Sequence, residues 1–437
     1  MPSHQIELLF LDLALILLLA RGLGTLAARI GQPPVVGEIV AGIVLGPTLL
    51  DGDLAEALFP SDVKPLLTAL ASVGVALFMF TIGLEIEHQA LRGAGRLTAG
   101  AAIGSTVLPF LLGIGMAAGL LRDHAGGDTA VFTVFVGLSV SVTAFPVLAR
   151  ILADRRLSTT SVGNVALATA AVVDVVAWVA LAAVQAVAGG GSEHWRVALV
   201  VPFTAALVLL VRPLLRRVLL PGGRVVPLGP GRLVVVLTAA LLCGAATEAM
   251  NLHYIFGAFL LGVVVPRDAV AAALRATIHE RTTQITGFLM PVYFVVSGLD
   301  VDLGGLGPDE LADLAAILTV AVAGKFAGTY LGARSQGMPG RPAAALASLM
   351  NTRGLTELII LGVGLQLGLL DGTLYSLMVA MAVLTTALTG PLLTIVLRKA
   401  PDVPAPDVPA PDVPAVPSRP EPARAPARTS HSGTRRA

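Results

Sequence analysis

From residue 6 to residue 397 the chain is a succession of apolar runs, each long enough to cross or half-cross a bilayer. Hydrocarbon offers no partner to backbone N–H and C=O groups, so a spanning chain must satisfy its own backbone. Runs of this length do so as helices. They lie near 6–29, 34–50, 65–84, 97–121, 130–152, 158–188, 196–220, 231–249, 253–266, 284–299, 311–333, 342–370 and 374–397. The expectation is an all-α polytopic membrane protein of about thirteen transmembrane helices. Composition agrees, since only 13% of residues are charged, about half the share found in soluble domains.

The basic residues set the orientation. Alternate connections carry Arg29; Arg92 and Arg96; Arg150, Arg155 and Arg156; Arg212, Arg216, Arg217, Arg224 and Arg232; Arg267, Arg275 and Arg281; Arg334 and Arg341; then Arg398 and Lys399. The opposite connections hold only Lys64, Arg122 and Arg196 and are otherwise acidic or neutral. This bias predicts a multi-pass protein with its N-terminus outside and its C-terminus cytoplasmic. The Arg-heavy, Ala/Gly-heavy usage, with three lysines among 29 basic residues, suggests a bacterial genome and so the bacterial inner (plasma) membrane. The start, MPSHQIE, lacks a basic n-region, so no cleavable leader is expected. The single cysteine, Cys243, excludes an internal disulfide and reads as a small packing residue.

Two domains are expected, a transmembrane unit over 1–398 and a disordered cytoplasmic tail over 399–437. The tail repeats APDVP three times, and proline at that density blocks helix. It reads as a solvated spacer, or else as a membrane-surface contact through its terminal arginines.

Ionisable residues inside the apolar runs carry the functional signal. Asp174, in ALATAAVVDVVAWVALAAV, has no ionisable neighbour within fifteen residues on either side. Such a carboxylate costs several kcal/mol at bilayer depth and is a functional-site hypothesis. Lys325 interrupts ILTVAVAGKFAGTYLGA, and Arg353 and Glu357 interrupt SLMNTRGLTELIILGVG. The plainer alternative is a structural ion pair between helices. Two runs are also broken. In VFVGLSVSVTAFPVLARIL, Ser139, Ser141 and Thr143 precede Pro146; in ASLMNTRGLTELIILGVG, Asn351, Thr352 and Gly354 interrupt the run. Breaks of this kind are either ordinary kinks or the interrupted helices with which transporters frame a site near the midplane. Hydroxyl oxygens beside them can ligate a small hard cation. One buried acid that binds either a proton or a monovalent cation couples the two by competition.

Other chemistry finds no support. Gly22, Gly24 and Ala27 match a dinucleotide fingerprint but lie inside the first apolar run with no strand before them. No Walker motif, His/Cys cluster or nucleophile elbow occurs. No enzyme activity, cofactor, nucleic acid or dinucleotide is expected.

The stretches PPVVGEIVAGIVLGPTLL, FMFTIGLEIE, LSVSVTAFPVLARIL, AAVVDVVAWVALA, IFGAFLLGVVVPR, MPVYFVVSGLDVDL, AGKFAGTYLGAR and LMNTRGLTELIILGVGLQLG resemble the monovalent cation:proton antiporters, in the branch of Kef-type and plant cation/proton exchangers. The resemblance spans roughly 33–395. It implies a fold of inverted repeats, with a dimerisation bundle and a mobile core whose two broken helices cross beside an aspartate. It also implies a homodimer in the lipid bilayer that exchanges H⁺ for Na⁺ or K⁺ in pH homeostasis. By resemblance Asp174 is the ion- and proton-binding carboxylate and Thr143 the unwound-helix position, the two together holding the cation. Lys325 is then the buried base and Arg353 the basic residue of the second break, with Ser141, Asn351, Thr352 and Glu357 in support.

One departure stands out. Relatives carry Asn or Asp immediately before that aspartate, whereas this chain has Val173. A single titratable acid implies electroneutral exchange and leaves Asp174 as a partner for Lys325. The proline-rich tail stands where Kef-type members carry a nucleotide-binding domain, so dinucleotide regulation is not expected. Val173 also leaves room for a different reading, a non-transporting sensor or accessory protein on the same scaffold. The retention of Asp174, Lys325 and Arg353 opposes it, because buried charges are costly. Efflux of a larger cationic solute is a third reading, for which no wide pocket is legible.

Overall fold

In the computed structural model, which describes residues 3–48, 53–60, 62–85, 95–158, 160–188, 199–221, 228–266 and 269–397, the apolar runs are helices. The Pro-rich segment expected to form the tail lies outside the described residues. In chain order the helices of ten residues or more are α1 (Ser3–Arg29), α2 (Pro34–Leu45), α3 (Lys64–Glu85), α4 (Arg96–Gly119), α5 (Thr129–Ser141), α6 (Phe145–Asp154) and α7 (Ser161–Ala188). Then come α8 (200–219, with a π turn at Leu207–Val211), α9 (Pro230–Ala249), α10 (Tyr254–Val264) and α11 (Ala269–Leu299). The last are α12 (Pro308–Ser335), α13 (Gly340–Met350), α14 (Leu355–Gln366) and α15 (Gly372–Leu397). The protein is thus an all-helical membrane protein. Among the described residues eight stretches are long and apolar enough to cross a bilayer, the α5–α6 stretch counted as one, and α2, α10 and α14 are shorter apolar helices.

Helix boundaries depart from the sequence reading where polarity misleads. α11 begins at Ala269 rather than near 284, because Arg275, His279, Glu280 and Arg281 lower the local hydropathy without breaking the helix. The run 130–152 is two helices, α5 and α6, and the run 342–370 is two more, α13 and α14.

Two packing groups result. In one, α3 packs on α10 and α11, α2 on α1 and α11, and α9 on α10. In the other, α4 packs on α5, α7 and α12, α13 on α7, α12 and α15, and α14 on α15. Small residues permit the closest approaches, as in membrane helix pairs generally. A Cβ on Gly104 of α4 would stand 2.1 Å from the Gly328 carbonyl oxygen of α12, and one on Gly328 equally close to that of Gly104. Gly100 and Gly332 repeat the contact one turn away. Because Gly328 follows Lys325 by three residues, this seam presses the lysine's helix onto α4. Leu18, Val179, Val201 and Leu209 remain exposed, as residues facing acyl chains do.

Candidate functional site

The site is built on two helix breaks. α5 stops at Ser141, and Val142 (φ −70°, ψ 150°) and Ala144 (φ −82°, ψ 99°) run extended before α6 begins. Pro146 suits a first helical turn, where an N–H would have no intrahelical partner in any case. α13 stops at Met350, and 351–354 lead into α14. The two breaks are tied to each other. Ala144 N–H donates to the Thr352 carbonyl at 3.0 Å, and the Thr143 hydroxyl donates to the Met350 carbonyl at 3.0 Å. Gly354 lies at the crossing, where a Cβ would be 2.7 Å from Val147 Cγ2. Only glycine fits there.

A helix that ends inside a membrane leaves its last carbonyls without intrahelical donors. Here two cations supply them. Arg353 donates to the Ser139 carbonyl at 3.0 Å and to that of Val140 at 2.5 Å. Lys325 Nζ donates to the Ser141 carbonyl and, at 2.6 Å, to that of Val142. The terminal carbonyls of α5 are therefore capped by positive charge, which also opposes the negative end of the helix dipole. Both side chains are wholly buried. Arg353 additionally pairs with Glu357 Oε1 at 2.8 Å. Its backbone is clamped by Thr386 of α15, whose hydroxyl accepts from Arg353 N–H at 2.9 Å and donates to the Arg353 carbonyl at 2.8 Å. A π turn at Val320–Gly324 immediately precedes Lys325. Such widened turns change the face that the following residues present.

The carboxylate occupies the opposite pole. Asp174, on α7, is 5% exposed, and its Oδ2 accepts from Phe145 N–H at 3.3 Å. Thr356 lies close by on α14. Phe145 and Thr356 stand in the first turns of α6 and α14, so the acid lies at the positive ends of two half-helices. The other carboxylate oxygen, Oδ1, is buried and accepts no hydrogen bond. Asn351 Oδ1 is likewise buried and unpartnered, its amide nitrogen donating to the Ala347 carbonyl at 3.0 Å. A free carboxylate oxygen held from its other side can accept a proton or a small cation.

Every sequence-stated candidate lies at or beside the crossing. Ser141 presents its carbonyl to Lys325, and its hydroxyl donates to Leu138 O at 2.8 Å. Thr352 bonds Leu349 O at 2.7 Å and accepts from Ala144. One expectation is corrected in part: Lys325 makes no close ion pair with Asp174 and acts on it only through space. No ion pair joins them among the described residues, because the ammonium is committed to the α5 carbonyls. Sequence reasoning also missed Thr356, Thr386 and the Phe145 N–H. Threonines inside helices usually bond back to their own turn, so nothing in their spacing set these apart.

A cavity of about 530 Å³ opens beside the crossing, between the two packing groups. Arg21, Glu38, Pro146, Val147, Arg150 and Leu355 are among its walls.

Comparison with known proteins bears on the whole helical region. The family described as "Sodium/hydrogen exchanger, transmembrane" matches residues 14–399. The chain is 38% identical over 404 residues to the "Na(+)/H(+) antiporter NhaS4" of Synechocystis sp., covering 90% of this chain and 98% of that one. It is 35% identical to the "Cation/H(+) antiporter 20" of Arabidopsis thaliana, over 89% of this chain but 48% of that protein, so it spans about half the length of the plant relative. Among solved structures, the sodium proton antiporter MjNhaP1 from Methanocaldococcus jannaschii superposes with a TM-score of 0.67 at 13% identity, covering 90% of this chain and 97% of that one. This likeness establishes the fold.

Proposed function

The chain belongs to the sodium/hydrogen exchanger family, and on that premise we propose that it is a secondary antiporter exchanging protons for Na⁺ or K⁺ across the bacterial plasma membrane. Its relatives are named as antiporters, transporters rather than enzymes. The observation that carries the reading is the state of Asp174: one oxygen fixed by the α6 N-terminus, the other buried and free. A deprotonated Asp174 takes the cation, with oxygens of the unwound segments such as Thr143 completing its shell, and protonation expels it. A cation and a proton therefore never share the site.

Lys325 and Arg353 are consumed in capping α5, and Glu357 is paired with Arg353. Among the described acids at the crossing, that leaves Asp174 as the one outside an ion pair, and one proton for one monovalent cation is electroneutral. Val173 supplies no second carboxylate. It belongs to the same buried cluster as Ala144 and Val147, filling the position beside the break with hydrocarbon.

The same reading extends to architecture. Thirteen spans arranged as inverted repeats would place the N-terminus outside and the Arg-rich connections in the cytoplasm. The group containing α5, α6, α13 and α14 would be the mobile core, and the group of α1–α3 and α9–α11 the dimerisation bundle of a homodimer. Residues 1–398 carry transport, with 399–437 as a dispensable tail.

The test is dequenching of a pH-gradient dye in everted vesicles, with Na⁺, K⁺ and Li⁺ added in turn. Na⁺ or K⁺ should discharge the gradient. Silence with all three cations, in vesicles containing the inserted protein, would favour an accessory protein, the reading to which Val173 points.

A further inference from the structure

Two polar atoms of α7 are buried without partners, one helical turn apart. Asp174 Oδ1 is an acceptor that takes no hydrogen bond, and Trp178 Nε1 is a donor that gives none. Residues four apart on a helix share a face, their Cβ atoms about 5–6 Å from each other. Long helical side chains also lean toward the N-terminus, so the indole of Trp178 leans toward the turn that carries Asp174.

Packing does not account for the indole N–H. Trp178 lies in the buried cluster where α7 meets α10, and its ring meets that of Phe256 edge to face, with centroids 6.4 Å apart and planes at 85°. Phenylalanine would make such a contact without burying a polar atom. A buried indole N–H ordinarily finds an acceptor, and one left alone is unfavourable. Further along the same face, Gln185 Oε1 already accepts from His253 N–H at 3.2 Å. Phe256 belongs to the other packing group, so the indole of Trp178 is held from across the seam while its helix carries the acid.

The acid's own chemistry supplies the missing acceptor. Each oxygen of an ionised carboxylate has two lone pairs. On Oδ1 one of them can take the indole N–H and the other a cation. A protonated Oδ1 is itself a donor and offers the indole little.

We propose that Trp178 is a positioning residue for exchange, its indole N–H donating to Asp174 Oδ1 when the carboxylate is ionised. The inference rests on the antiporter reading and deepens it. Phe145 N–H holds one oxygen of the acid, and Trp178 holds the other in the form that takes the cation. The bond favours that form over the protonated one, so Trp178 governs the apparent KM for the cation at a fixed pH and leaves the maximal rate near its natural value.

The test uses the full chain in proteoliposomes, with Na⁺ and K⁺ titrated at one pH. Trp178→Phe keeps an aromatic ring against Phe256 and removes the donor. It should raise the apparent KM for both cations about tenfold, the scale of a hydrogen bond to a charged group. Were that variant to accumulate poorly, Trp178→benzothienylalanine, which has the shape of tryptophan with sulfur in place of the N–H, decides by the same KM. A second measurement reads the bond itself. The chain has two tryptophans, so Trp195→Phe leaves Trp178 as its one indole. Ultraviolet resonance Raman of that protein should show the indole N–H mode move to its hydrogen-bonded position as Na⁺ or K⁺ is added, but not with choline. Asp174→Asn in the same background should abolish the response. An unchanged KM in the variants at Trp178, or an N–H mode indifferent to cations in a protein that exchanges them, would overturn the proposal. A wild-type chain that exchanges no cation would instead refute the antiporter reading itself.

Discussion

Replacing Lys325 with methionine tests whether its ammonium is there to finish α5. The side chain is wholly buried and donates to the Ser141 and Val142 carbonyls. Methionine keeps nearly the same volume, so cavity formation adds little. What is lost is two donors. Each carbonyl left unsatisfied in an apolar interior costs about 1–3 kcal/mol, or about 2–6 kcal/mol for the pair. Against that, the variant no longer desolvates an ammonium, whose effective penalty is itself several kcal/mol. The carbonyl side should win. The chain is extended beyond Ser141, so no following turn can supply replacement donors. We expect a net loss of about 2 kcal/mol, which for a helical unit of this size is a fall in melting temperature of about 2–3 °C. Lys325→Arg, which keeps the donors, should lose less. Fluorescence-detected size exclusion after heating in detergent reads the difference. A Lys325→Met protein as stable as wild type, or more so, would refute the capping argument and leave the lysine as a charge kept at the expense of stability.

Three further expectations follow from particular contacts. Gly328→Ala would put a Cβ 2.1 Å from the Gly104 carbonyl oxygen and should force α4 and α12 apart, at a cost of about 3 kcal/mol; Gly22→Ala, which meets nothing within 4 Å, is the control that should unfold with wild type. His124 lies between Asp371 (2.8 Å) and Asp313 (3.4 Å), joining the connection after α4 to α12 and the start of α15. Burial works against its protonation, but the hydrogen bonds and charges of Asp371 and Asp313 outweigh it and raise the pKa above the ordinary histidine value. Its contribution to stability is then full below about pH 6.5, the unfolded value, and fades as pH rises through the raised folded value. The stability gap between wild type and His124→Gln should be wider at acid than at alkaline pH, and a gap that widens with pH would contradict this. Val173→Asp adds a second acid beside Asp174, so exchange in liposomes should become sensitive to an imposed potassium–valinomycin potential. A wild-type protein already driven by that potential would sink the electroneutral assignment.

How far the sequence anticipates this structure depends on what each residue must do. The helices were legible because membrane depth forces the backbone to pair within each run, and hydropathy marks each run. Both breaks were legible from Pro146, Gly354 and their polar neighbours. Asp174, Lys325 and Arg353 were visible because a charge at that depth cannot be incidental. Their partners were not. Hydropathy says that Lys325 needs a partner, but two carbonyls of α5 satisfy it as well as a carboxylate, and backbone acceptors have no sequence signature. Thr386 was hidden for a related reason, since a hydroxyl that reaches a neighbouring helix has the same spacing as one that bonds back to its own turn. Glu38 stood in a stretch that resembles a family motif, yet that it shares one cavity with Arg21 and Arg150 is visible only once α1, α2 and α6 are brought together.

The most direct measurement is cation-driven proton movement by Asp174→Asn in everted vesicles, with insertion and thermal stability measured alongside. The amide can still accept from Phe145 N–H, so the fold around the crossing should survive. It can neither release a proton nor carry charge to a cation. The protein should therefore insert and melt near wild type while Na⁺- and K⁺-driven proton movement disappears. Exchange at the wild-type rate in this variant would contradict the claim that one buried carboxylate is the shared site.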